Sequence, residues 1–413
     1  MKRSSDDSVR IAVDLTPMLP GGMNGGVKPA ILEFIRALQQ LQNPRFEFVF
    51  LTVASTHSEV KAVTTEHDET ICLDGTKVAE AQRPSFFRRR HVDLLYAPFG
   101  MISYPNCSLP MVAMVVDLLH RDYPFSISEK EREWREQYFR QMVACADRFQ
   151  VISDYTGERL VQHYRVPLEK IFRTYLPIQN RLKVTATDLS NNQRYFFYPA
   201  NFWPHKNHEV LLIAYQIYHR QGGTDAWKLV LTGSDDPRRK MLQELASCLG
   251  IEKDVIFKGH VSEGELAQLF SNASALVFPS LHEGFGIPPI EAMNLGVPVL
   301  TSDSGSLREV VGESALKVDA RKPLELASAM GRIASSESLR ETLRQRGFQR
   351  AQLFSLEAEV ARLAGVFQEV IHSTKRRTWP ERLARRFAPK RSNGPNQPPT
   401  PAARLYRFIR DRI

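Results

Sequence analysis

Short apolar runs recur along this 413-residue chain, separated by segments whose apolar residues return every three or four positions. Residues 10–15 (RIAVDL), 46–53 (FEFVFLTV), 92–98 (VDLLYAP), 111–119 (MVAMVVDLL) and 148–153 (RFQVIS) have the length and the Val, Ile and Phe content of buried strands. Between the first two, residues 30–41 place Ile31, Phe34, Ile35 and Leu38 on one face of a helix. Residues 128–147 predict a helix capped by Ser128, with Glu131 in the capping-box position, and residues 154–163 predict another. A polar stretch, 182–194 (LKVTATDLSNNQR), interrupts the pattern. The alternation then restarts, with strands at 194–200, 227–233, 254–260, 274–280 and 296–303 and helices between them. Strands alternating with helices imply parallel sheets covered on both faces, hence an α/β chain of two doubly wound domains.

The chemistry concentrates just after the strand at 274–280, in LHEGFGIPPIEAMNLGVPVLTSD (281–303). Glu283 stands on the loop leaving the strand. Gly284, Phe285 and Gly286 allow a sharp turn and a close approach of backbone to a ligand. Pro288 and Pro289 suit a first helical turn, where a missing N–H costs little. The exposed N–H groups and positive dipole end of that helix form a natural diphosphate cradle. Glu291 lies about one turn further on, with its side chain leaning back toward the helix start, so both carboxylates face one ligand. Carboxylates accept hydrogen bonds from sugar hydroxyls.

This segment resembles the signature of the retaining nucleotide-sugar glycosyltransferases of GT-B fold, the group 1 or family 4 enzymes that include sucrose synthase and bacterial mannosyltransferases. The likeness continues through GVPVLTSDSGSLREVVGESAL (296–316) and covers about residues 10–373. It implies two Rossmann-like domains facing a cleft: an N-terminal acceptor domain at 1–181 and a C-terminal donor domain at 182–355. A helix at 356–374 returns to the first domain, and a tail follows at 375–413. It also implies that Glu283 contacts the donor sugar and Glu291 the ribose, while the backbone from Gly284 to Ile287 holds sugar and phosphate.

Further segments fit the same resemblance. In YPANFWPHKNHEVLL (198–212), Lys206 takes the place of a lysine that neutralises the donor diphosphate, whereas Asn201 stands where many relatives carry arginine. Lys28 is a candidate for the second cation. His205 and His208 lack further ligands, and the resemblance implies no metal and no cofactor. In the loop GGMNGGVKP (21–29), Gly25 and Gly26 are the candidates for backbone contact with donor phosphates. In MVAMVVDLLHRDYP (111–124), Asp117 matches the acceptor-side motif, Val116 occupies its histidine position, and His120 is the nearest histidine. Backbone near Lys258 is expected to hold the nucleotide base. The implied activity is transfer of a hexosyl unit, mannosyl among the options, from a nucleotide-diphosphate sugar to a saccharide or lipid-linked acceptor in cell-surface polysaccharide synthesis. A weakly catalytic sugar-nucleotide-binding or scaffold protein of the same fold is the alternative, supported by Val116 and Asn201.

Composition changes this picture in one place. Twelve of the 55 lysines and arginines, but two of the 46 acidic residues, fall in 375–413, so the tail carries +10 and the rest of the chain −1. The body is therefore not a nucleic-acid binder. The tail sets Trp379, Leu383 and Phe387 at four-residue spacing among arginines, a basic amphipathic pattern that fits an anionic membrane surface. No apolar run approaches the roughly 20 residues of a membrane span. Four scattered cysteines and the absence of a signal-peptide pattern lead to the expectation of a cytoplasmic protein, peripheral at the inner face of the membrane.

Overall fold

A computed structural model describes residues 8–21, 24–42, 45–105, 108–178, 182, 194–234 and 236–375. The first sheet contains β1 (Val9–Asp14), β2 (Phe46–Thr52), β3 (Glu69–Cys72), β4 (Leu94–Ala97), β5 (Met111–Val115), β6 (Arg148–Val151) and β7 (Ile171–Arg173), in the order 3-2-1-4-5-6-7. The second contains β8 (Tyr195–Pro199), β9 (Lys228–Thr232), β10 (Val255–Gly259), β11 (Ala275–Phe278), β12 (Val299–Ser302) and β13 (Leu316–Val318), in the order 10-9-8-11-12-13. Neighbouring strands pair in parallel throughout. The pattern missed β3, β7 and β13. These are three- or four-residue sheet edges whose residues are all half-buried, so no apolar run marks them.

Side chains alternate across each strand, and β2 shows what this does for the fold. Phe46, Phe48 and Phe50 join one core cluster, while Val49 and Leu51 join the other. The Phe face receives the helix Leu356–Lys375, which returns from the second domain. Phe367 meets the Phe46 ring at 6.3 Å and the Tyr96 ring at 5.2 Å. Glu369 of the same helix pairs with Arg148. The C-terminal helix is thus part of the N-terminal domain's core.

Two local endings matter for the site. β5 stops at Val115, shorter than the 111–119 run suggested. Asp117 Oδ1 accepts from the Leu119 N–H at 2.9 Å, and a helical turn, Leu119–Asp122, follows. An Asp that hydrogen-bonds two residues ahead competes with the strand ladder and turns the chain. The glycine loop runs directly into the helix Val27–Gln39, with Gly26 at its N-cap and Gly25 at φ +58°. Residues 376–413 lie outside the described residues, and with them the expected basic amphipathic segment.

Candidate functional site between the two sheets

Each sheet reverses its winding once, between β1 and β4 and between β8 and β11. Loops leaving the carboxyl ends of strands at such a point diverge and open a crevice. In the second sheet the two loops are the ones singled out by sequence, after β8 (Asn201 to Lys206) and after β11 (His282 to Gly286). They meet: Lys206 Nζ donates to Glu283 Oε1 at 2.5 Å, and each side chain is 13% exposed.

This pair is held from behind. Pro204–Lys206 is a single 3-10 turn that ends in Asn207, at φ +63°. Asn207 Nδ2 donates to Pro279 O at 3.1 Å and Ala320 O at 2.7 Å, which ties the lysine loop to the end of β11. Tyr198 donates its hydroxyl to Lys206 O at 2.7 Å. Ser306 donates to Glu283 O at 2.7 Å. Gly286, at φ +100°, precedes the helix Ile287–Asn294, whose first turn carries Pro288 and Pro289 as read from sequence. Glu291 sits on this helix and is buried.

The N-terminal domain closes the other side. Gly284 O accepts from Ser153 Oγ at 2.8 Å and Thr156 Oγ1 at 3.3 Å. A Cβ added to Gly284 would lie 1.8 Å from Val116 O and 3.3 Å from Asp117 Cβ. One added to Gly26 would lie 2.6 Å from Ile287 Cδ1. The Glu309 carboxylate accepts from the N–H groups of Asp154 and Tyr155 at 2.8 and 3.0 Å, so one domain caps the helix Asp154–Tyr164 of the other. The structure therefore brings Gly26, Val116, Asp117, Lys206, Glu283, Gly284 and Ile287 to one seam.

Residues 182–350 match the family model described as glycosyl transferases group 1. The O-antigen chain mannosyltransferase B of Escherichia coli is 26% identical over 330 residues, spanning 76% of this chain and 84% of that protein. The group 1 glycosyltransferase match thus falls on the second domain, the one that carries Lys206, Glu283 and Glu291. The O-antigen chain mannosyltransferase RfbU of Salmonella typhimurium is 33% identical over 168 residues, 41% of this chain and 45% of that protein. Among solved structures, Anabaena Alr3699/HepE in complex with UDP and glucose superposes on the chain with a TM-score of 0.70 at 17% identity. It covers 87% of this chain and 100% of that one, and shows the GT-B fold in common.

The electrostatics of the seam follow from its burial. Burial pushes the Asp117 carboxyl up, but the Arg135 charge (Nη1 at 3.5 Å) and the Leu119 N–H outweigh it and hold it below the usual range. His205, buried beside Lys206, is pushed down to about 2 by desolvation first and the lysine charge second. It is thus a neutral imidazole. Asp122 is also held below its usual value: burial opposes this, and hydrogen bonds from Arg159 and His163 prevail.

Other expected residues lie elsewhere. Asn201 Oδ1 accepts from Ser234 N at 2.9 Å and Ser234 Oγ at 3.0 Å, fastening the loops after β8 and β9. Lys28 Nζ is engaged within the N-terminal domain, by Leu19 O at 3.1 Å and Glu59 at 2.5 Å. His120 packs inward on Phe139 and shares a 2.8 Å hydrogen bond with Tyr164, because the helical turn after Asp117 rotates it into the domain. Lys258 pairs with Glu265 at 2.8 Å at the end of β10. Among the described residues, no group of three or more His, Cys, Asp or Glu is placed to hold a metal ion, and no helix is long and apolar enough to cross a membrane. Sequence reading did not single out Asn207, Ser153, Glu309 or His282. An Asn before a helix was a legible signal for the first; the others act across the seam and leave no local pattern.

Proposed function

We propose that this chain is a glycosyltransferase that moves a hexosyl unit from a nucleotide-diphosphate sugar to a hydroxyl of a saccharide or lipid-linked saccharide, with retention at the anomeric carbon and without a metal. Mannose is the sugar favoured by the O-antigen mannosyltransferase relatives, which also favour a role in cell-surface polysaccharide synthesis. The observation that carries the reading is the Lys206–Glu283 pair at the domain seam, beside the start of the helix Ile287–Asn294.

In this reading the backbone N–H groups from Gly284 to Ile287, at the positive end of that helix, and the Lys206 ammonium take the diphosphate. Glu283 orients the sugar and Glu291 accepts from the ribose hydroxyls. The acceptor oxygen bonds to C1 on the face from which the phosphate leaves. The C1–O bond to phosphate breaks, and a phosphate oxygen takes the acceptor's proton. Lys206 contributes most as negative charge builds on the leaving group.

The test is release of nucleoside diphosphate from GDP-mannose and UDP-glucose, with and without a saccharide acceptor and with and without EDTA. Acceptor-stimulated release, an α-linked product by NMR and indifference to EDTA are expected. Loss of turnover in EDTA, restored by one divalent ion, overturns the metal-free mechanism. Binding of donors without any turnover favours the scaffold alternative.

A further inference from the structure

His282 immediately precedes Glu283 and has no part in the scheme above. It is 3% exposed, and among the described residues neither of its ring nitrogens has a hydrogen-bond partner. Its surroundings come from the opposite domain. Tyr123 and Tyr155 flank the ring, with centroids at 5.6 and 6.2 Å. The nearest carboxylate oxygen, Asp122 Oδ2, is 3.9 Å from Nδ1, beyond hydrogen-bond reach. Asp122 is committed instead to Arg159 and His163. Asp117, Glu283 and Lys206 complete the charged groups around the ring.

A buried donor and acceptor left unmatched together destabilise the fold, and such atoms in native proteins call for an explanation. His208 offers the contrast. Its nitrogens are also unmatched, but its ring lies in the apolar interior of one domain, against Tyr198 and Phe202 at 4.8 and 5.1 Å. His282 lies at the seam, beside the pair assigned to the donor. A neutral imidazole presents one N–H donor and one nitrogen acceptor, which matches a hydroxyl and not a phosphate. Across the seam, Val116 presents only its backbone oxygen to Gly284. Its side chain has no polar atom, and the Ser153 and Thr156 hydroxyls there are already spent on Gly284 O.

We propose that His282 hydrogen-bonds a hydroxyl of the donor's sugar and is a specificity-determining residue, supplied by the C-terminal domain and enclosed only when the two domains meet. The proposal rests on the donor reading above and adds the residue that distinguishes a sugar nucleotide from the bare nucleotide.

The experiment measures binding of GDP-mannose and of GDP, and of UDP-glucose and UDP, by calorimetry to wild-type protein, His282→Phe and His282→Gln. Thermal melting of each is recorded. His282→Phe keeps an aromatic ring but removes both polar atoms. It is expected to weaken the sugar nucleotide about tenfold, leave the free nucleotide unchanged, and hold or raise the melting temperature, since an unmatched polar group is removed. His282→Gln, with one amide donor and one acceptor, is expected to recover part of the loss. Monodeoxy analogues of the bound donor locate the contact: the analogue that binds wild type and His282→Phe equally lacks the hydroxyl in question. Equal weakening of sugar nucleotide and nucleotide, or no weakening of either, overturns the inference while leaving the donor reading intact. If His282→Phe fails to fold, His282→Gln decides, because wild-type discrimination between sugar nucleotide and nucleotide must then fall by less than tenfold but measurably. Wild-type protein that binds none of the four ligands removes the donor reading, and this inference with it.

Discussion

Replacing Gly284 by alanine adds one methyl group at the place where the two domains touch. That Cβ would sit 1.8 Å from Val116 O and 2.9 Å from Val116 C, both backbone atoms at the end of β5. A carbon and an oxygen not bonded to each other settle at about 3.5 Å, so the contact must open by well over 1 Å. Neither side yields alone. Gly284 O is held by Ser153 and Thr156, and Val116 is continuous with a buried central strand. The displacement therefore falls on the domain seam. Losing the two hydrogen bonds to Gly284 O weakens closure by about 2 kcal/mol. More consequential is that the N-terminal side of the seam, where the acceptor is expected, separates from Lys206 and Glu283 by that same distance, and a 1 Å misplacement of reacting groups costs on the order of 100-fold in rate. Acceptor-stimulated nucleoside diphosphate release is expected to fall by about that factor. Circular dichroism should remain native, because the methyl enters no core. Gly26→Ala is the control: its Cβ meets Ile287 Cδ1, the free end of a side chain that can rotate away, so a smaller loss is expected. If Gly284→Ala retains turnover within about twofold of wild type, the reasoning fails and the seam is not the catalytic arrangement.

Three further outcomes are expected. Lys206→Ala should lower turnover by about 100- to 1000-fold while nucleoside affinity changes little, because its charge matters most on the departing diphosphate; equal losses in both would assign it a structural role. Glu291→Ala should weaken nucleoside diphosphate binding by about 1.5–3 kcal/mol in calorimetry with a native circular dichroism spectrum, and unchanged affinity would remove the ribose assignment. Stability should also fall on acidification. Burial first, then the Lys206 and Arg238 charges, lowers His208 from 6.5 to about 3. The folded imidazole thus stays neutral while the unfolded one gains a proton below 6.5, so its contribution is complete above that value and is lost as the pH falls toward 3. By about pH 5 this one group removes roughly 2 kcal/mol. His208→Phe should flatten the slope of denaturation midpoint against pH between 7 and 5, and identical slopes would refute the assignment.

The sequence by itself determined the elements and their order wherever burial was complete. β1, β2, β8 and β11 are mostly apolar runs because parallel strands covered on both faces need little polar surface, and their alternation with helices leaves two doubly wound sheets. The sequence also displayed Glu283, Glu291 and Lys206, because glycines, prolines and charged residues at a strand-to-helix turn form a local pattern. It did not display the edge strands, which carry too few buried residues to mark. Tertiary structure alone decided which side chains share the seam. His120 and Asp117 are three residues apart, yet the turn at Leu119–Asp122 sends one into an aromatic core and leaves the other beside Arg135 and His282. Glu309 caps a helix 155 residues earlier in the chain, and Ser153 reaches Gly284 across 131. Such contacts depend on how two separately wound sheets are set against each other by the returning helix Leu356–Lys375, and no periodicity along a single chain encodes that relation.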